Sequence, residues 1–261
     1  MLSRERLRPA LTGLAGLVSV LAVWWIATVT VLADARIPAP HEVVRSVRAD
    51  GWGFYSLHFG ITLEEAAVGF LYGNVAALVL ASLVLLLPLA EPVIMQVAVI
   101  SYCVPIVAIA PVLYIVIGVP DPGDRSGTAV ALAALSVFFT TVVGTVLGLR
   151  SADKASLDVV TVYGGGAWQR LRRVQLISAL PAVLASLQIA APAAFLGAIL
   201  GEYAGGIDRG VGLALKISQQ NINVEQAWGL GFGCAVLAGT AYAAFGLVAR
   251  FVTPWSKGAP E

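Results

Sequence analysis

The residues best placed to do work lie between positions 150 and 176, in the stretch LRSADKASLDVVTVYGGGAWQRLRRVQL that runs from Leu149 to Leu176. Gly164, Gly165 and Gly166 stand in a row, and Arg170, Arg172 and Arg173 follow within one or two helical turns. A glycine run stops a helix and lets the backbone turn. Ala152 to Tyr163 before it and Ala167 to Gln175 after it both have helical spacing, so two short helices at an angle would form a protruding knob. Its three guanidiniums would be exposed. One reading is a plain connector whose arginines only set topology. Connectors usually run about two to eight residues, and the length of this segment favours a docking surface.

The other candidate groups are sparse. His41 and His58, the only histidines, have no metal or triad partner at motif spacing and are expected to be solvated. Metalloprotease, serine-elbow and phosphate-loop signatures are missing, so no catalytic residue, metal site or resident cofactor is expected, and the chain cannot hydrolyse ATP by itself. Cys103 and Cys234 lie within apolar runs and read as small core residues. Pro105 and Pro111 each remove a helix hydrogen bond at membrane depth, which is tolerated only against protein or a water-filled cavity. With the nearby polar groups Asn74, Ser101 and Tyr102 they mark a candidate translocation path; a packed kink without a ligand is the alternative. Glu64 and Glu65 would snorkel or pair between helices. Glu202 reads as a gate or scaffold contact, or as a solvated carboxylate at a helix end before the flexible exit Tyr203-Ala204-Gly205-Gly206.

These groups need elements to hold them, and composition says which. Of 261 residues, 59% are hydrophobic and 12% charged, against about a quarter charged in soluble proteins, and the mean hydropathy is +0.87. The chain is a membrane protein, and its net charge of +1 points to no nucleic acid. A helix needs about 20 apolar residues to cross roughly 30 Å of hydrocarbon. Six runs qualify: Leu11–Leu32, Phe59–Leu87, Pro92–Gly118, Thr128–Leu149, Ile177–Gly201 and Trp228–Phe251. Each must be helical, since strands in lipid would leave backbone groups unpaired. The fold class expected is therefore an all-α integral membrane protein of about six transmembrane helices, forming a single domain over 1–261. The loops would be 150–176 on one side and 33–58 and 202–227 on the other. Arg4, Arg6 and Arg8 before the first run, and Ala33-Asp34-Ala35 after it, imitate a secretory signal, but the run is too long and reads as a retained anchor.

Lysine and arginine set the orientation. With the N-terminus inside, Arg4, Arg6, Arg8, Arg150, Lys154, Arg170, Arg172, Arg173, Arg250 and Lys257 are cytoplasmic, which is ten of the sixteen. Arg36, Arg45, Arg48, Arg125, Arg209 and Lys216 are external, and the bias fits the positive-inside rule. Both termini and the glycine-broken loop then face the cytoplasm. Ala193, Gly197 and Gly201 recur on one helix face, as do Gly229 and Gly233 in the last helix, where they allow close helix contact.

The stretch DVVTVYGGGAWQRLRRVQL resembles the EAA loop of permease subunits of bacterial ABC importers: Glu-Ala-Ala, three residues, Gly, nine residues, Ile, one residue, Leu-Pro. Asp158, Val159 and Val160 stand at Glu-Ala-Ala, Gly164 at the glycine, and Val174 and Leu176 at Ile and Leu, while Ile177 replaces the proline. RIPAPHEVV resembles the L-P-S-P-x-x-V segment of the nitrate, taurine and alkanesulfonate group. Thr62-Leu63 with Gly69-Phe70 resembles its T-L-x-R-x-x-x-G-F opening, with Glu65 in place of arginine. Pro105, Ala108 and Pro111 resemble its P-x-x-A-x-x-P helix, and Glu202 with Gly210-Val211-Gly212 its E…GLG tail.

The resemblance implies a permease of the bacterial inner membrane that moves a small polar solute delivered by an external binding protein. The loop would be the coupling helix, seated on a cytoplasmic ATPase present in two copies, with ATP and Mg on that partner. It also implies a second permease chain, identical or a paralogue. The rival readings are an ion-gradient-driven secondary transporter, which would usually show internal repeats, and a membrane-embedded enzyme.

Overall fold

The computed structural model describes residues 4–30, 37–205 and 207–257. The Ala33–Ala35 pattern, Arg36 and Gly206 lie outside the described residues, as do the side chains of Arg4, Arg6, Arg8 and Lys257. Among the described residues every regular element is helical. In chain order they are α1 (Arg4–Thr30), α2 (Pro40–Leu86), α3 (Glu91–Cys103), α4 (Ile106–Ile117), α5 (Gly127–Arg150), α6 (Lys154–Val162), α7 (Ala167–Arg170), α8 (Leu176–Ala204), α9 (Val211–Gln220) and α10 (Val224–Val252). A π-helical turn, Leu171–Gln175, joins α7 to α8.

Among the described residues four helices are long and apolar enough to cross a membrane: α2, α5, the continuous run Ala167–Ala204, and α10. The bent pair α3–α4 would make five, and α1 carries a shorter apolar stretch, Val18–Thr30. The all-helical membrane architecture expected from the sequence is thus observed, with differences in detail. The segment 33–58, expected as a loop, is helical from Pro40, and Gly51 (φ 74°) interrupts α2 where that helix was expected to be still outside. The segment 202–227 contains α9.

Pro92–Gly118 is not one helix. α3 and α4 meet at 98°. Pro105 forces Val104 into extended backbone (ψ 123°) and itself caps the start of α4. The groups freed at the bend are satisfied locally, Val104 N–H by the Ile100 carbonyl and the Pro105 carbonyl by Ala108 N–H.

By internal contacts the chain falls into two compact units. One comprises residues 1–56 and 214–233. Here Trp24 stacks on Trp228 at 5.3 Å, Gln226 donates to Asp50 Oδ1 at 3.0 Å, and Gly229 leaves room for Val47 and Tyr55. The other comprises residues 57–213 and 234–261. Its centre is α5, which packs along α8 and also touches α3 and α4.

Lipid tails are as apolar as leucine, so close van der Waals contact, not burial itself, must hold such helices together. Small residues make that contact. Ala77 and Ala81 of α2, Ala98 of α3 and Val142 of α5 are fully buried against one another. A Cβ on Gly69 would collide with Ala133, and one on Gly201 with the backbone of Ala129, so α5 lies backbone to backbone with α2 and α8. The close contact expected for Gly197 and Gly201 is therefore real. Cys103, expected in a core, is exposed at the end of α3.

Gly201→Val should overpack the α5–α8 contact and cost about 1–3 kcal/mol. The thermal midpoint of the detergent-solubilised protein, read by size exclusion after heating, should fall by several degrees. Gly231→Ala, whose Cβ meets open space, should leave it unchanged.

Candidate functional site

The glycine-broken loop folds as its composition dictates. Asp153 caps α6 by accepting from Ser156 N–H at 3.1 Å. The helix stops where Gly164 takes φ +78°, with Gly165 N–H returned to the Val160 carbonyl at 2.8 Å. Gly166 then opens α7, its N–H donated to Gln169 Oε1 at 2.6 Å. Within this knob Leu171 is the anchor: it is buried with Leu149 and Ala179, against Leu85, Leu86 and Val183. An apolar residue inside QRLRRVQ was the sequence signal for it. The π-helical turn re-aims the chain at this point, so that Leu171 points in while Arg172 and Arg173 stay exposed.

By contrast α6 buries no residue. Val159, Val162, Tyr163 and Trp168 are exposed, Tyr163 to 88%. Asp158, Gly164 and Gly166 are exposed, and Val160, Gly165 and Arg170 half-buried. An apolar ridge with guanidiniums following it, held out on a capped helix, suits contact with another protein. At its root Arg150 makes a two-oxygen ion pair with Glu91 at 2.6 Å, joining the end of α5 to the start of α3.

At the other end of α8 lies a buried polar cluster. Glu202 is fully buried, not a solvated helix-end carboxylate. Its Oε1 accepts from Thr62 Oγ1 at 2.5 Å and its Oε2 from Gly212 N–H at 2.6 Å. Thr62 Oγ1 in turn accepts from Val211 N–H at 3.0 Å, and His58 Nδ1 accepts from Gly210 N–H at 3.0 Å. The carboxylate thus ties the α8–α9 turn to α2. Gly210 (φ +137°) leaves the space that the carboxyl of Glu202 occupies. Glu65, 1% exposed, accepts from Ser126 N–H at 2.5 Å, the cap of α5, and its carboxyl lies against that of Glu202. Glu64, by contrast, is exposed and pairs with Arg125 at 3.5 Å.

His58 was expected to be solvated and is instead buried in this cluster, because the helix extends outward past Phe59 and turns the ring inward. Sequence reasoning also missed Thr62, Glu65 and Ser126 as site residues. The signal was present: His58, Thr62, Glu65, Gly69 and Gly73 follow helical spacing on one face, a polar stripe running into a glycine stripe.

The candidate path residues divide. Ser101, Tyr102 and Pro105 come together at the α3–α4 bend, with Tyr102 70% exposed and stacked on Phe139 at 4.6 Å. Ser101 donates to the Ala98 carbonyl at 2.7 Å, and Pro111 lies exposed within α4. Asn74 is apart from them. It is buried, its amide donating to the Phe70 carbonyl at 2.7 Å and accepting from Thr141 Oγ1 at 2.5 Å, a helix-to-helix bond.

Residues 69–257 match the family described as the binding-protein-dependent transport system inner membrane component. A probable ABC transporter permease protein of Haemophilus influenzae is 27% identical over 211 residues, 80% of this chain and 83% of that protein. The formylaminopyrimidine transport permease protein ThiX of Halalkalibacterium halodurans is 24% identical over 237 residues, 91% of this chain and 92% of its own. The riboflavin transport system permease protein RibX of Chloroflexus aurantiacus is 28% identical over 155 residues, 59% of this chain and 56% of its own.

Glu202→Ala would strand the buried Gly212 N–H, at a cost of about 1–3 kcal/mol, while the Thr62 hydroxyl keeps the His58 carbonyl at 3.0 Å as its acceptor. It should lower the thermal midpoint and cut solute uptake at least tenfold. Glu64→Ala, which breaks only an exposed ion pair, should leave both within error.

Proposed function

The chain belongs to the family of binding-protein-dependent transport system inner membrane components, and from that premise we propose that α6 and α7 are the coupling element by which it is driven. It is the permease subunit of an ABC importer and works with an ATPase and a binding protein. The proposal beyond this rests on one observation: α6 is a capped helix with no buried residue, and its ridge of Val159, Val162 and Tyr163 is exposed among the described residues.

In this reading the ridge of Val159, Val162 and Tyr163 enters a groove on the ATPase. Asp158 and Val160 complete the helix, Gly164 to Gly166 set its angle to α7, and Arg170, Arg172 and Arg173 meet the acidic or phosphate-bearing rim. Two ATPase copies, carrying the ATP and Mg, act on two such loops, the second from another permease chain, identical or a paralogue. The loop and both chain termini are cytoplasmic, in the bacterial inner membrane, as the lysine and arginine bias favours. Closure of the ATPase pair draws the loops together and turns the pathway outward to the binding protein, and release turns it inward.

The solute path runs past the α3–α4 bend at Ser101, Tyr102, Pro105 and Pro111, where a break at membrane depth requires protein or a cavity beside it. Asn74 serves as a helix lock behind this path, and Glu202 as the clamp that gates its outer end. Within the family, the RIPAPHEVV and Glu202…Gly210-Val211-Gly212 segments favour the nitrate, taurine and alkanesulfonate group. The two relatives named for formylaminopyrimidine and riboflavin favour a pyrimidine-containing vitamin precursor over a sulfonate as the solute.

Reversing Arg170, Arg172 and Arg173 to glutamate should reduce co-purification of the ATPase at least tenfold while membrane insertion and thermal midpoint stay intact. Tyr163→Asp should do the same. Undiminished co-purification in both variants would remove α6 and α7 as the docking element.

A further inference from the structure

The first segment of α2, from Pro40 to the break at Gly51, is amphipathic in a way that transport does not require. Val43 is 4% exposed and Val47 packs against Gly229, which fixes the inward face. His41, Arg45 and Arg48, at helical spacings of four and three, line up on the outward face, and all three are exposed. With Trp25, Pro40 and Val44 they line a groove of about 520 Å³. Trp25 is stacked on the His41 ring at 5.4 Å, and half of its surface remains exposed.

Three features specify what fits the groove. The cationic rim is not neutralised: among the described residues neither Arg45 nor Arg48 makes an ion pair, and the nearby Glu42 carboxylate is turned to the Ala39 N–H at 2.8 Å. The floor is apolar, from Trp25, Val44 and Pro40. The groove also continues into the exposed apolar face of α1 formed by Leu21, Val29 and their neighbours, a face suited to acyl chains. A phosphate can sit between two guanidiniums, while a tryptophan with arginines beside an apolar helix is the arrangement found at the membrane interface.

We propose that this groove is a binding site for the phosphate headgroup of an anionic phospholipid, whose acyl chains run along α1. Free phosphate shares the headgroup chemistry but would use only the rim. The site holds one lipid per chain, on the first segment of α2.

Native mass spectrometry of the detergent-purified full chain tests it, with phosphatidylglycerol, phosphatidylcholine and inorganic phosphate as probes. The expected result is one phosphatidylglycerol retained per chain, at least fivefold less phosphatidylcholine, and no competition from millimolar phosphate. Arg45→Gln with Arg48→Gln should lose the retained lipid at least fivefold with an unchanged thermal midpoint, and Trp25→Ala should weaken it further. Equal retention of the two lipids, or undiminished retention by the double variant, would overturn the proposal. Displacement by phosphate alone would make it a free-anion site and overturn the lipid assignment. A double variant that keeps its lipid but no longer captures the external binding protein would make the basic face a protein contact instead. Should the double variant prove unstable, the lipid selectivity of the unaltered chain still decides.

Discussion

Backbone-close packing of α5 on α8 is the constraint on which the rest of this structure depends. The 29 residues of α8 span roughly 43 Å at about 1.5 Å per residue. One end of that rod begins at the π-helical turn anchored by Leu171, and the other carries Glu202. Glycine and alanine along the contact bring the helix backbones together, and interiors packed this closely transmit displacement instead of absorbing it. Both ends of the rod are fastened, one by the small apolar cluster around Leu149 and the other by a carboxylate that holds two backbone or hydroxyl donors. The chain thereby possesses one long helix, carrying Pro181 and Pro192 within it, with the exposed α6–α7 knob at one end and a polar clamp at the other. A transporter driven from outside the membrane needs such an element.

Much of this was legible in the residues, and for physical reasons. Apolar runs of about 20 residues leave a chain no alternative to helix in lipid. The glycine run had to turn, and Asp153 and the capping groups around it sit where short helices must begin. The bend at Pro105 could be read as a break but not as an angle, because a proline states which hydrogen bond is missing and not where the freed segment goes. The solvated reading of His58, and the solvated alternative for Glu202, fail for one shared reason. Polar residues at the ends of apolar runs look solvated when the helix is assumed to stop there. Here α2 starts earlier, at Pro40, and the α8–α9 turn folds back, so both side chains are enclosed. Glu65 shows the limit of pattern matching. It occupies an arginine position of the resembling group, yet its partners are a helix cap and another carboxyl, which only the fold could pair.

The division of labour also accounts for what the chain lacks. A permease that borrows its energy needs no nucleotide loop and no nucleophile, only shape, stiffness and a surface for the donor of that energy. Polar side chains are therefore spent on caps, clamps and the α6–α7 knob. The α3–α4 bend breaks an apolar span by 98°, and Tyr102, Val107 and Ile115 are exposed beside it.

With α6 as the proposed coupling helix, force enters the chain at α6 and leaves at the α8–α9 turn. Hydrogen exchange of the permease, with and without its ATPase partner, tests this most directly. Binding of the ATPase should slow exchange over 154–170 at least tenfold, and adding a non-hydrolysable ATP analogue should then change exchange over 205–212. Protection confined to other segments, or an unaltered α8–α9 turn once α6 is protected, would contradict the account.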